Sequence, residues 1–383
     1  MSTNHAVLML ASCQYPPDLL REIPAYRSLA RMHTRLRAIA EERPDAQRVL
    51  WMAGDTIYVD PTAGLFDPEH PYDRYDAPYR FLKGRVWRDV VEAVDHVFCM
   101  ADDHEYEENW EPAGRHAVNR HLRRALFYGK RAHMQNMRAG LVRISPRDVF
   151  RCPLWGPIES VAGMGAFALD LRSERERRDI HNIERARMCS PGQMAAFRGW
   201  LDSCLVRDRR AGRVLPKLVL SASTLLPRRL LVADGGSTAS ALQSDACDGY
   251  PAFLAELFDT IVRKQVPGLL FVSGDEHLSF VTRAELRAAG LAPVIIHSVH
   301  ASPLYGPYPF ANGVAEAFVE DDEFITIPLA GTGPVQVVAR TRFMNTGNGF
   351  CELGFGGYAN AGIVEASFCG ETRMVTESLR LPG

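Results

Sequence analysis

The chain has 383 residues, 46% hydrophobic and 23% charged, with a formal net charge of −2. That balance is ordinary for a soluble globular protein and gives no reason to expect nucleic acid or an anionic membrane as a partner. No apolar stretch approaches the roughly 20 residues of a membrane span, and no export signal is evident at the start, so the expectation is a cytoplasmic protein.

The first element is a strand over residues 7–11 that runs into Ser12-Cys13-Gln14. After a Pro16-Pro17 turn, residues 24–42 carry Ala25, Leu29, Met32, Leu36 and Ile39 at helical spacing, with Pro24 suited to the first turn. Residues 49–53 form a second strand and lead into Gly54-Asp55-Thr56-Ile57-Tyr58-Val59-Asp60. The polar, Pro-rich stretch from Pro61 to Tyr79, with Tyr72, Tyr75 and Tyr79, is expected as a long loop acting as a lid or substrate wall. Trp87, Val90, Val91 and Val94 mark a short amphipathic helix before a third strand, residues 96–101, which runs into Asp102-Asp103-His104-Glu105.

Residues 105–143 look helical and basic, and His116, His121 and His133 read as surface residues on them. Residues 163–172 suggest a strand. Ser190 then makes an N-cap with Gln193 three residues on, for a helix whose apolar face is Met194, Phe197, Leu201 and Leu205. Leu218 to Leu220 runs into Ser221-Ala222-Ser223, Asp234 to Ser237 is a polar loop, and residues 253–262 are a helix. Residues 269–273 run into Gly274-Asp275-Glu276-His277. Past Val294-Ile295-Ile296 the alternating segments 335–343 and 350–355 suit antiparallel strands. No repeat or linker intervenes, so one domain over residues 1–383 is expected.

Eight cysteines, at 13, 99, 152, 189, 204, 247, 351 and 369, form no CxxC pair, so free thiols in a reducing compartment are expected. Cys99 lies inside an apolar run and reads as core packing, whereas Cys13 stands at a strand end where a thiolate could reach a metal. Five apolar runs thus end in ligand-type residues. Buried strands of an α/β sheet read this way, and ligands collect beyond their C-terminal ends. This is the pattern of a hydrolytic metal site.

Asp55 could bridge two cations through its two oxygens, and Tyr58, as phenolate, is a hard ligand that favours Fe³⁺. The segment from Asp102 to Glu105 offers a ligand, a proton donor in His104 and an orienting carboxylate. Asp275 and His277, two apart on a short turn, can face one site. His297 reads as a core histidine, and His300 is a candidate for the same rim. For Arg172, a phosphate clamp and a surface ion pair with Glu174 or Glu176 both stay open. No GxGxxG, GxxxxGK or GxSxG spacing is present.

Several motifs together resemble the PhoD-like (alkaline phosphatase D) branch of the calcineurin-like metallophosphatases. They are Ala11-Ser12-Cys13-Gln14, the segment Gly54 to Asp60, Asp102-Asp103-His104-Glu105, Leu169-Asp170-Leu171-Arg172-Ser173 and Gly274-Asp275-Glu276-His277. Ser190-Pro191-Gly192-Gln193 with Trp200-Leu201, and Gly347-Asn348-Gly349-Phe350, are weaker signatures. The resemblance implies a four-layer αββα sandwich of two mixed β-sheets flanked by helices. It implies Fe³⁺ held by Cys13, Asp55 and Tyr58, with Asp55 bridging to a second divalent cation, commonly Ca²⁺. Asp103 or Asn109 would help bind that second ion, Asp275 and His277 would complete the cluster, and His104 would be the catalytic imidazole.

The expected activity is phosphomonoester or phosphodiester hydrolysis of small substrates by a hydroxide activated between two metals. Alternatives are a degenerate member that uses the pocket for phosphate binding or assembly, and a mononuclear iron redox enzyme, for which no clear facial ligand set exists. Two departures stand out: Ser12-Cys13-Gln14 replaces the Asp-x-His of the wider superfamily, and Ser221-Ala222-Ser223 stands where that superfamily has a histidine.

Overall fold

The computed structural model describes residues 6–16, 22–60, 70–112, 120–137, 149, 151–158, 164–226, 247–301, 303–306, 323–327, 333–345, 347–356 and 362–381. The apolar runs become the central strands of two mixed sheets. In the first, β1 (Ala6–Gln14), β2 (Gln47–Met52) and β3 (His96–Cys99) run parallel. On the other side of β1 the sheet continues antiparallel through β13 (Gly349–Phe355), β14 (Ile363–Gly370) and β15 (Met374–Arg380). A short strand, β10 (Pro303–Tyr305), also pairs with the end of β1.

The second sheet has a parallel centre of β5 (Gly165–Leu169), β6 (Lys217–Ser221), β7 (Leu269–Ser273) and β9 (Val294–His300). Antiparallel strands flank it: β4 (Gly156–Ile158) on one side, and β8 (Ser279–Arg287), β12 (Val335–Asn345) and β11 (Glu323–Ile327) on the other.

Strand alternation builds the layers. Leu8, Leu10, Val49 and Trp51 of the first sheet share an inner core with Ala166, Ala168, Leu218, Leu220, Leu270 and Val272 of the second. Their neighbours Val7, Met9, Leu50 and Met52 face an outer core with α1 (Glu22–Glu42), α2 (Asp73–Leu82), α3 (Arg85–Glu92) and α4 (Arg120–Met137). Phe167, Val219, Leu269 and Phe271 face the opposite outer core with α5 (Pro191–Ala211) and α6 (Pro251–Lys264). With both faces covered, these strands have no polar side, which is why they read as continuous apolar runs. The result is the expected αββα sandwich. At the edge, β15 buries little and alternates with solvent. Among the described residues no helix is long and apolar enough to cross a membrane.

Ser190 caps α5 as expected, accepting the N–H of Gln193. Three expectations are corrected. The loop expected to reach Tyr79 gives way to α2, which contains Pro78 and buries Tyr75 and Tyr79; packing outweighs the one ladder hydrogen bond that proline removes. The helix expected from residue 105 begins only at Arg120 among the described residues, and Asp103–Glu105 is a single 3-10 turn. His133 is not on the surface: it is buried on α4, with Tyr79 Oη 3.1 Å from Nδ1 and the Cys99 carbonyl 3.2 Å from Nε2. His116, residues 61–69 and the loop at Asp234 to Ser237 lie outside the described residues.

Candidate metal centre

The C-terminal ends of the two sheets converge because small residues let them touch. A Cβ on Gly54 would stand 2.5 Å from Asp102 Cβ and 3.1 Å from Ala222 Cβ. A Cβ on Gly274 would overlap Ser12 and lie 3.0 Å from Ala53 Cβ. Backbone hydrogen bonds carry each sheet past its strand ends to this contact: Cys13 N to Gly54 O (3.3 Å) and Gln14 N to Asp55 O (2.8 Å) in the first, and Gly274 N to Ala222 O (2.7 Å) in the second.

Five described non-glycine residues have positive φ: Cys13 (50°), Asp55 (51°), Asn109 (54°), Gln265 (48°) and Asp275 (84°). Gln265 caps the C-terminus of α6. The other four are all candidate ligands, three of them at strand ends. Left-handed backbone at non-glycine residues persists only where the surroundings impose it, and it clusters at functional sites. Here it turns side chains off the strand ends into the cleft between the sheets.

Glu105 imposes the turn at Asp55. Its buried carboxylate accepts the N–H groups of Asp102 (2.7 Å), Thr56 (2.8 Å), Asp55 (3.1 Å) and Ile57 (3.4 Å). Burial pushes its pKa up to about 8 against the pull of these donors.

Within the cleft, Cys13 Sγ lies 3.6 Å from Asp55 Oδ2 and 3.2 Å from the Asp275 carbonyl. Ligand atoms of Asp55, Asp103 and His104 lie within 4.8 Å of one another, as do those of Asp102, Asp103 and Asp275. Asp103 thus belongs to both trios. Asn109 is exposed, and its backbone N–H donates to Asp103 Oδ2 at 2.7 Å. The Tyr58 ring packs on His104 with centroids 4.1 Å apart, and Tyr15 lies on Tyr58 at 5.0 Å. His277, half-buried, rests against Gly306, where a Cβ would be 3.0 Å from its Nδ1.

His104 Nδ1 is 2.9 Å from Asp60 Oδ1, while Asp60 Oδ2 accepts the Glu108 N–H at 2.6 Å. Burial depresses the imidazole pKa, but Asp55, the bonded Asp60 and Asp103 outweigh it and raise it to about 11. Asp60 is a site residue that the motif alone did not single out.

Arg172 is wholly buried under the cleft and not on the surface. It is hydrogen-bonded to Asp102 and is 3.4 Å from Asp103 Oδ1 and 3.8 Å from Asp275 Oδ2. Glu174 and Glu176 serve other partners: Trp155, Ser190 and Gln193 for the first, the Arg187 N–H for the second. The Leu169-to-Ser173 and Ser190-to-Gln193 motifs are its mounting. Asp170 Oδ1 accepts the N–H groups of Arg172 (3.0 Å) and Ser173 (2.8 Å), and the Gln193 amide bonds both N–H and C=O of Asp170. His300 holds the other ligand turn from below, bonding Ser273 Oγ at 2.9 Å and the Glu276 N–H at 3.2 Å. His297 is buried in the second sheet, with burial lowering its pKa to about 4.

These residues fit cations. Asp55 Oδ1, Tyr58 Oη and Asp102 Oδ2 are buried without a hydrogen-bond partner, each a cost of about 1–3 kcal/mol if nothing compensates, and Asp103 Oδ1 has no hydrogen bond beyond its 3.4 Å ion pair with Arg172. Burial, then neighbouring anions, push Cys13 and Tyr58 well above their ordinary pKa values; burial raises Asp55 against the His104 charge and Asp102 against the Arg172 charge. Positive charge placed among them would reverse both effects.

A model of the PhoD-like phosphatase family matches residues 8–307. No curated protein matches the chain. Among solved structures, a structure of PhoD superposes with a TM-score of 0.59 at 14% identity, covering 99% of this chain and 69% of that one, a likeness of fold.

Proposed function

The chain belongs to the PhoD-like phosphatase family, and from that premise we propose that it hydrolyses small phosphoesters at a dinuclear metal centre. The carrying observation is the convergence of three buried acceptor atoms without partners, on Asp55, Tyr58 and Asp102, with the Asp103 carboxylate and the His104 imidazole. In this reading Cys13, Asp55 and Tyr58 hold Fe³⁺, whose affinity for hard anionic ligands suits a phenolate and a carboxylate. A second divalent ion would be held by Asp55 together with carboxylates such as Asp103 and Asp275, and the family resemblance suggests Ca²⁺, which such oxygens suit. Asp103 is the ligand for that ion and Asn109 its support, since Asp103 is buried in both trios while Asn109 offers it a backbone N–H. Asp275 and His277 complete the set from the second sheet.

Such cations supply Lewis acidity toward the phosphoryl oxygens and acidify water. The protein does the rest. Asp60 holds Nδ1 of His104 and Tyr58 packs its face, which leaves Nε2 to deliver a proton to the leaving alkoxide. Neutralising Asp55 and Asp103 removes two of the charges that raise the imidazole pKa, so its proton becomes transferable nearer neutrality. Arg172 keeps Asp102, Asp103 and Asp275 together; its burial favours this over a direct clamp on phosphate.

The test is turnover of p-nitrophenyl phosphate and of bis-p-nitrophenyl phosphate, with bound metal measured before and after chelation. Turnover of either ester that is lost with the metal supports the proposal, and the ratio of the two rates sets the monoester or diester preference. A metal-loaded protein inert toward both esters would point to phosphate binding without catalysis.

A further inference from the structure

We infer that Asn348, on the turn that leads into β13, is a positioning residue that fixes the His277 ring by way of Gly306. The inference rests on the reading of His277 as a metal ligand. Residues 347–350 stood out in the sequence, lie beyond the stretch matched by the family model, and have no part in the chemistry described so far.

The geometry forms a short relay between the sheets. β10 runs beside the Cys13 strand, pairing Ser12 with Pro303 and Gln14 with Tyr305, and Tyr15 N donates to Tyr305 O at 3.0 Å. Gly306 follows directly. A Cβ there would lie 3.0 Å from His277 Nδ1 and 3.1 Å from Cε1, so the imidazole rests against bare backbone. That contact is closer than most side chains allow.

Asn348 sets the position of this backbone. Its Oδ1 accepts the Gly306 N–H at 2.9 Å and its Nδ2 donates to Glu371 Oε1 at 3.1 Å. With oxygen and nitrogen both engaged, the amide has one orientation that satisfies its neighbours. The backbone carbonyl of Asn348 accepts from Arg31 Nη2 at 3.4 Å, and Arg31 in turn bonds the Gly370 carbonyl and Ser28 Oγ. The amide is therefore tied to the β14–β15 turn and the Asn348 backbone to α1, both outside the cleft. His300 fixes the backbone of the His277 turn; Gly306 meets the ring itself. A metal-ligating imidazole needs its orientation held, and the loss of such a support costs about 10–100-fold in metal affinity.

The experiment measures bound metal per chain by elemental analysis after dialysis against graded EDTA, alongside the melting temperature of each metal-stripped variant. Asn348→Ala should lower the EDTA concentration for half-loss by roughly 10-fold. His277→Ala should lower it at least as much, and the double variant should lose no more than His277→Ala alone, because Asn348 acts only through that ring. Gly306→Ala leaves the Asn348 hydrogen bonds in place and crowds His277 directly, so it should reproduce the loss even if Asn348→Ala folds poorly. Additive losses in the double variant, or a lowered melting temperature with wild-type metal retention, would overturn the inference while the metal centre stands. Wild-type retention in His277→Ala would remove the ligand reading and this inference together.

Discussion

Stripping the metals should destabilise the protein, and by more at alkaline than at acidic pH. Asp55, Asp102 and Glu105 all have carboxyl pKa values raised by burial, Glu105 to about 8. An unfolded carboxyl titrates near ~4, so between these values the folded, metal-free chain binds more protons than the unfolded one. Stability from such groups is fully present below about pH 4 and is lost as pH rises through the folded values, up to about pH 8 for Glu105. Bound cations replace those protons, and protons compete with them at low pH.

The size follows from mass action. An ion present at 1,000 times its dissociation constant stabilises the fold by about 4 kcal/mol. At ~2.1 cal/mol/K per residue, 383 residues give an unfolding entropy of about 0.8 kcal/mol/K, so the melting temperature should fall by roughly 5 °C on stripping. The assay is thermal unfolding of metal-loaded and pre-stripped protein at about pH 5.5 and pH 8, the window set by these titrations. The gap should be near the full value at the higher pH and should shrink at the lower. An equal gap at both, or a stripped protein more stable at the higher pH, would refute the account of the buried anions.

Asp55→Asn should abolish phosphoester turnover, by at least ~10³-fold, with the fold kept, because in the proposed centre both cations would depend on this carboxylate; near-normal rate and metal content would remove the dinuclear proposal. His104→Ala should lower turnover by roughly 10²–10⁴, less for nitrophenyl esters than for alkyl phosphates, and Asp60→Asn should show the same leaving-group trend more weakly. Equal losses across leaving groups would make His104 a positioning residue. Metal-loaded protein should carry a visible phenolate-to-Fe³⁺ charge-transfer band that Tyr58→Phe abolishes; elemental analysis showing only zinc would count against iron.

The strands and their rim were readable because burial on both faces leaves a period-free apolar signature, and the ligand residues follow each run directly. Less readable were contacts that join distant segments. Asp60 lies 44 residues from His104, and Glu105 reaches back 50 to the Asp55 N–H; nothing local marks either pairing. Gly54 could be read as giving its carboxylate room near a metal, but the reason visible in the fold is contact with Asp102 beside it in the same sheet and with Ala222 across the sandwich. Pro78 misled because a single proline weighs heavily in a local pattern, while the burial of Tyr75 and Tyr79 that sustains the helix is tertiary. Basic neighbours likewise made His133 look exposed, although its own face of α4 meets Tyr79 and the Cys99 carbonyl.

The touching of the two sheets at Gly54 and Gly274 also orders events in time. Cys13 and Asp275 are 262 positions apart, and the turns that carry them belong to opposite halves of the sandwich. Asp102 and Asp103 meet Asp275 only across the seam, so an ion held by that trio would be captured after one sheet docks on the other. Such a cation would be a seal on a finished architecture and no template for building it. Its loss should loosen the seam between the sheets before it disturbs either sheet.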